Sequence, residues 1–503
     1  MKKIIINKNP WQTRIAILKD DKLQNIYFDS HTQSTLERCF FKGIATKVLP
    51  GIQTAFVDIG QEKAGFLHIS EIDRELAFER ISGHEEKEAK KIPKKGRDKR
   101  RAPLDIAKIF KEGEPIIVQV SKEPIYEKGA KLTTCFTLPG RFIVLMPNIP
   151  RIGVSKKIAD YQERIRLKEL VSKALPEGMG AIVRTTSENK NPKDISQDIN
   201  YLVEIWKTIQ KKFTTAQPAE KLHQDIPLSL QAVRDYLDED VEDIIVNDKD
   251  EQKKIYRFIK YVAPEYSHKI KFYKEPPPIF EKYNIEKQIE LALEKKVMLK
   301  SGGSLIIETT EAMTVIDVNT GKFVGRKNLE DTILKTNLEA AQEITRQLRL
   351  RNIGGLIVID FIDMAVGQHR QQLIREFEKT LRETDKFQSV VLKVSEFGLV
   401  QMTRKRSGKT LSQQLTEKCP HCAGSGRIKS VQSESYRILS EFKLKLQKEE
   451  LKSVELQLNK EVFEYIVNNE YNAVLQLEKR FNCNITMAEN KAFSLNQYKI
   501  KKT

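Results

Sequence analysis

Asp317 and Asp360 are the residues of this chain best placed to do chemistry. Each closes a short apolar run, Thr314-Val315-Ile316-Asp317 and Leu356-Ile357-Val358-Ile359-Asp360. Two carboxylates brought together repel each other unless a cation lies between them, and hard oxygen ligands with room for water suit Mg²⁺. A metal held this way can activate a water and stabilise charge on a phosphate. Asn319, two residues beyond Asp317, points to the same side of an extended strand, where it could orient a carboxylate or a substrate. An aspartate after an apolar strand also serves simply to cap the loop or helix that follows. The pattern alone leaves both readings open; Asp363 reads as such a cap.

Three further groups carry possible chemistry. Cys419-Pro420-His421-Cys422 precedes Ala423-Gly424-Ser425-Gly426-Arg427, and a glycine-rich tail that folds tightly round sulfur favours zinc over a redox dithiol. Structural zinc wants four ligands. The chain has no second CxxC, so two thiolates from each of two chains would complete a Cys₄ site; His421, between the thiolates, reads as a non-ligand. Arg184-Thr185 follow the strand-like Ala181-Ile182-Val183. A guanidinium fork beside a hydroxyl suits a terminal phosphate, although the pair taken alone reads more readily as an exposed strand end. Phe56 and Phe66 lie on neighbouring strand-like runs, where aromatics can stack bases; spacing alone favours the core for both.

The elements that must position these groups are legible from periodicity. Over 326–351, Leu329, Ile333, Leu338, Ala341, Ile344 and Leu348 recur at helical spacing, and Gly354-Gly355 stops the helix. Strand, amphipathic helix, strand is a crossover whose strands run parallel. Ligands in such sheets gather at the carboxyl ends of the strands, where both aspartates fall. Glycines at 43, 51, 60 and 65 punctuate several short strands from Cys39 onward, and Glu114–Glu123 supplies a last one, which suggests a small OB-type barrel. Lys3–Ile6 and Arg14–Leu18 are strand-like runs too short to fold alone, 197–214 is a helix, and Asp243–Asp248 opens another strand–helix unit.

Composition bounds the rest. A formal charge of +18 favours a polyanionic partner, nucleic acid above all. Between Lys90 and Arg101, eight Lys/Arg accompany one acid, a surface loop that could touch RNA or merely be solvated. The opening MKKIIINKNP is too short in apolar residues for a signal peptide, and no run approaches the ~20 apolar residues of a membrane span. Five cysteines in 503 residues make no disulfide framework; Cys39, Cys135 and Cys483 stand singly, the first two read as buried, and a reduced cytoplasmic protein is expected.

The blocks VIDVNTG, NLEAAQEITRQLRLRNIGGLIVIDFIDM and SEFGLVQMTRKR closely resemble the catalytic region of the ribonuclease E/G family, and the likeness extends over nearly the whole chain. The resemblance implies a magnesium-dependent endoribonuclease that cuts single-stranded RNA, leaving 5′-phosphate and 3′-hydroxyl ends, with roles in ribosomal RNA processing and messenger RNA decay. Asp317 and Asp360 would hold the magnesium and Asn319 would assist. Phe56, Phe66 and Lys128 match RNA-contacting positions, while Gly140, Val144, Arg184 and Thr185 match a pocket for the substrate's 5′-monophosphate. That pocket often has a further arginine in the family, where this chain offers Lys386 and Gln388.

The implied fold is α+β and multidomain. A ribonuclease H-like subdomain (1–34 and 229–291) is interrupted by an OB-fold RNA-binding domain (35–133, with a basic insertion at 85–103) and a 5′-sensor (134–228). A deoxyribonuclease I-like catalytic subdomain (292–414), a zinc link (415–427) and a small C-terminal domain (428–503) follow. Cys419 and Cys422 would share Zn²⁺ between protomers of a homodimer, and dimers could pair into a tetramer; neither DNA nor a membrane is expected as partner. With no long tail after the small domain, the chain resembles the G-type members more than the E-type. The rival expectation is a non-catalytic RNA-binding or ribosome-assembly protein on the same fold.

Overall fold

A computed structural model describes residues 1–30, 35–73, 77, 105–124, 129–320, 329–405, 408–422, 424–449 and 451–502. The chain forms two compact units, Met1–Gln414 and Leu415–Thr503. The basic run at 90–101 and Lys128 lie outside the described residues.

In the first unit, strands Lys2–Lys8, Gln12–Lys19 and Lys22–Ser30 form an antiparallel meander, and Lys2–Lys8 also pairs in parallel with Val241–Val246, which pairs with Ile270–Phe272. The uninterrupted Ile4-Ile5-Ile6 run marks a strand buried on both faces. Ile4 and Ile6 pack with Val233, Ile255 and Ile259 on one face, and Ile5 packs with Phe280, Ile285 and Ile289 on the other. The third strand, Lys22–Ser30, is an addition to the sequence reading.

Phe40–Leu49, Thr54–Asp58, Gly65–His68, Lys131–Thr133 and Pro115–Lys122 pair in that order, and the last returns to pair with the first. This closed small barrel, OB-like as expected, leaves no open edge around its circuit. Ala55, Val57, Leu67, Val118, Val120 and Leu132 fill it. Cys39 is buried as expected, but Cys135 is only half-buried, beyond the barrel's last strand. Next, Leu138–Pro139, Ile143–Met146, Gly180–Val183 and Ile152–Val154 make a small sheet packed with the helices Tyr161–Ala174 and Pro192–Thr215.

The sheet that concerns the aspartates is six-stranded, ordered Lys296–Met298, Ser304–Thr309, Met313–Asn319, Gly355–Asp360, Leu399–Arg404, Ser389–Val391. Only the central pair is parallel, as the crossover through helix Leu329–Leu350 requires. That helix and Gly367–Thr384 cover one face, burying Ile316, Val318, Ile357 and Ile359 against Ala341, Ile344, Leu373 and Phe377.

The second unit has a three-stranded sheet, Ser453–Leu458 running between Asn484–Glu489 (parallel) and Tyr498–Lys502 (antiparallel). It packs with helices Val431–Lys448, Lys460–Asn469 and Tyr471–Phe481 around Phe442, Leu456 and Ile466. Among the described residues, no helix is long and apolar enough to cross a membrane.

Candidate active site

Strand alternation decides which side chains the central pair exposes. Thr314, Ile316 and Val318 point into the helix-covered core, which turns Val315, Asp317 and Asn319 to the other face. Ile357 and Ile359 do the same for the next strand, which turns out Leu356, Val358 and Asp360. The register aligns Asp317 directly with Asp360. Adjacent strands lie ~4.8 Å apart, so the two carboxylates are neighbours on one open face. Asn319 Nδ2 donates to Asp317 Oδ2 at 2.8 Å, which fixes one carboxylate.

The electrostatics fit a cation. Partial burial pushes the Asp360 carboxyl above its usual value, and the charges of Asp317 and Asp363 push it further. Among the described residues no cluster of three or more potential protein ligands surrounds the pair. A cation there would rest on two carboxylates and keep several waters, the coordination Mg²⁺ prefers. The loop after Asp360 is itself fixed. The wholly buried Asn337 donates from Nδ2 to the Ile362 carbonyl at 2.8 Å and accepts the Ile362 N–H at 3.1 Å. Sequence reasoning missed Asn337, although its place in the apolar stripe of its helix, between Ile333 and Ala341, was a usable signal.

The residues expected to meet a 5′-phosphate lie on neighbouring strands of one small sheet and at their ends. Arg184 donates to the Gly140 carbonyl at 2.6 Å and to Asp235 at 2.8 Å. Thr185 is exposed beside it, and Val144 is half-buried on the strand paired with Ile182. Gly140 admits no side chain, because a Cβ would stand 2.4 Å from Asp198 Oδ2. Asp198 accepts the N–H groups of Arg141, Phe142 and Ile143, so a half-buried carboxylate shapes this loop from behind. Burial of Asp235 pushes its carboxyl up, but Arg184, Arg234 and Lys386 outweigh that and hold it well below the usual range. Lys386 donates to the Asp235 carbonyl at 3.0 Å, with its ammonium 3.2 Å from the centre of the Tyr236 ring. Lys386 thus meets Asp235 together with Arg184, from the segment that leads into strand Ser389–Val391. Asp198 and Asp235 had no sequence signal, because only the tertiary fold brings them to this loop.

On the barrel, Phe56 and Phe66 are register partners with ring centres 6.1 Å apart, edge to face. Both are half-buried and turned outward, since Ala55, Val57 and Leu67 take the interior. The core placement favoured by spacing is therefore not the one adopted. His68 extends the same face, its ring 6.3 Å from Phe66 and nearly parallel to it, with Nδ1 accepting the Ser70 N–H.

In the second unit, Cys419 is exposed and Cys422 half-buried, in a turn ahead of helix Val431–Lys448. The N–H groups of Gly426 and Gly424 pull the Cys422 thiol below its ordinary value. Both glycines have positive φ, 70° and 89°, so the backbone does fold round sulfur here. Structural zinc takes four ligands, of which two cysteines placed like this could supply two.

The chain is also similar to known proteins. The model of the "Ribonuclease E/G family" matches residues 137–407, and that of the "RNase E/G, Thioredoxin-like domain" matches 418–503. Ribonuclease G of Salmonella typhimurium is 38% identical over 439 residues, 87% of each chain. Ribonuclease G of Haemophilus influenzae is 37% identical over 472 residues, 94% of this chain and 93% of the relative. Ribonuclease E of Escherichia coli is 36% identical over 487 residues, 95% of this chain but 44% of the relative. The open carboxylate pair is thus carried by a chain that belongs to the ribonuclease E/G family and is an endoribonuclease.

Proposed function

We propose that this endoribonuclease cuts single-stranded RNA in the cytoplasm by magnesium-dependent hydrolysis at the Asp317–Asp360 pair, leaving 5′-phosphate and 3′-hydroxyl ends. The observation that carries the reading is the in-register pair on an open sheet face, with Asn319 bound to one of its carboxylates. Asp317 and Asp360 would hold Mg²⁺, which when bound supplies charge stabilisation on the phosphate and an activated water. Asn319 orients Asp317, and Asn337 holds the chain that follows Asp360. Phe56, Phe66 and Lys128 would stack and neutralise that strand on the barrel. Ribosomal RNA maturation and messenger decay are the processes such an enzyme serves. Incubating a fluorescein-labelled single-stranded RNA with and without Mg²⁺ tests the core of this reading; cleavage undiminished in excess chelator would overturn it.

The Arg184–Thr185 corner is proposed to receive a 5′-monophosphate. Arg184 is already ordered by Gly140 and Asp235, so little side-chain entropy is lost on binding. Wild-type enzyme should cut 5′-monophosphorylated RNA faster than the same RNA with a 5′-hydroxyl. Arg184→Ala should remove about 2 kcal/mol of that preference, roughly 30-fold, with little effect on the 5′-hydroxyl substrate. Equal rates on both substrates for the wild type would show that the corner senses no phosphate.

For the second unit we propose that Cys419 and Cys422 of two chains share one Zn²⁺, joining a homodimer that can pair further into a tetramer. The turn location of the two thiols supports zinc over dithiol redox chemistry, because a reactive CxxC gains its low thiol pKa at a helix N-terminus.

A further inference from the structure

Phe397 is 85% exposed, the most exposed large apolar side chain among the described residues. Exposure alone says little, since isolated surface apolar residues are ordinary. Its mounting says more. Phe397 sits in a tight turn closed by three hydrogen bonds, from Gly398 N–H to the Ser395 carbonyl, from Ser395 N–H to the Leu399 carbonyl, and from Leu399 N–H to Ser395 Oγ. Gly398 takes φ +81°, and a Cβ there would lie 3.0 Å from Asp363 Oδ1, so the turn is pressed against the loop that follows Asp360. Leu399, two residues on, is the register partner of Asp360 itself. A hydrogen-bonded turn therefore holds an exposed aromatic ring just ahead of the strand that pairs with Asp360.

Between this turn and residues 361–364 lies a cleft of about 570 Å³, walled by Phe361, Met364, Val394 and Phe397. That is within the range of small-ligand sites. Its polar rim carries Asp363 and Glu396, while Arg370 is engaged by the Met364 and Ala365 carbonyls. Carboxylates on the rim repel a phosphate, and an aromatic wall attracts a base. We infer that Phe397 and this cleft form a subsite for the nucleobase of a nucleotide adjoining the scissile phosphodiester, with Phe397 as the stacking residue that positions the strand over Asp317 and Asp360. The position of the cut relative to this subsite rests on the Asp317–Asp360 reading; the binding of a base does not.

A two-way cycle tests it, pairing wild type and Phe397→Ala with RNAs made abasic, one position at a time, around the mapped cut. Affinity is measured in chelator, so the outcome does not depend on the metal site. Phe397→Ala should weaken binding of the intact RNA about tenfold. Loss of the base at one position within two nucleotides of the cut should cost as much, and the two losses together should cost no more than either. Phe397→Trp should restore binding, which separates stacking from a folding defect. Additive losses at every position, an affinity unchanged by Phe397→Ala, or no rescue by tryptophan would overturn the subsite. A fully active Asp360→Asn would instead sink the metal reading and leave the cycle's result standing.

Discussion

Asp317→Asn and Asp360→Asn should each lower the single-turnover cleavage rate about a thousandfold while RNA affinity stays within a few-fold of wild type. The separation follows from what the carboxylates do. A cation on the pair acts on charge that develops in the transition state and contributes little to ground-state binding. Several kcal/mol of such stabilisation corresponds to about three powers of ten in rate. The substitution should not harm the fold. Asp360 is already pushed towards protonation by partial burial and by two neighbouring carboxylates, so a neutral isostere relieves strain rather than creating it. Unchanged or slightly raised melting temperatures are expected alongside the lost activity. Wild-type turnover in either variant would remove the aspartates from the mechanism.

The double substitution Cys419→Ser, Cys422→Ser should empty the protein of zinc and shift its sedimentation from dimer to monomer. Native protein should carry about half a zinc per chain, because in the proposed shared site each chain would supply two of the four thiolates. Structural zinc contributes ~10 kcal/mol or more in small domains, so a bridge of this kind would dominate the association energy. The tilt of the Cys422 thiol towards thiolate, set by the Gly424 and Gly426 N–H groups, prepares it for a metal. Activity should fall with the dimer if the barrel or phosphate corner of one protomer presents RNA to the aspartates of its partner. A full zinc per chain in a stable monomer would show that other ligands complete the site.

What the sequence showed clearly was whatever depends on local period. The apolar stripe from Ile333 to Leu348 and the run Leu356–Ile359 suffice to make a crossover, and a crossover brings Asp317 and Asp360 to the same ends of parallel strands. The run Lys3–Ile6 was likewise legible as a strand, and the structure buries it on both faces. Lys22–Ser30 did not stand out, because Leu23 is its only buried residue and its alternation is weak. Phe56 and Phe66 show the limit of spacing as a guide. Either face of a barrel strand can carry an aromatic, and the choice fell outward because the smaller Ala55, Val57 and Leu67 already fill the interior. Asn337 against Ile362, Asp235 against Arg184 and Lys386 against Tyr236 are contacts between distant segments, set by how elements pack, and no local pattern encodes them.

Manganese titration, read by electron paramagnetic resonance on the enzyme bound to an RNA made uncleavable at its cut site, tests the carboxylate pair most directly. Wild type should bind one Mn²⁺ per chain at this site, competed off by Mg²⁺, and Asp317→Asn and Asp360→Asn should each weaken it by about tenfold or more. Equal Mn²⁺ affinity in all three proteins would contradict a metal held between Asp317 and Asp360.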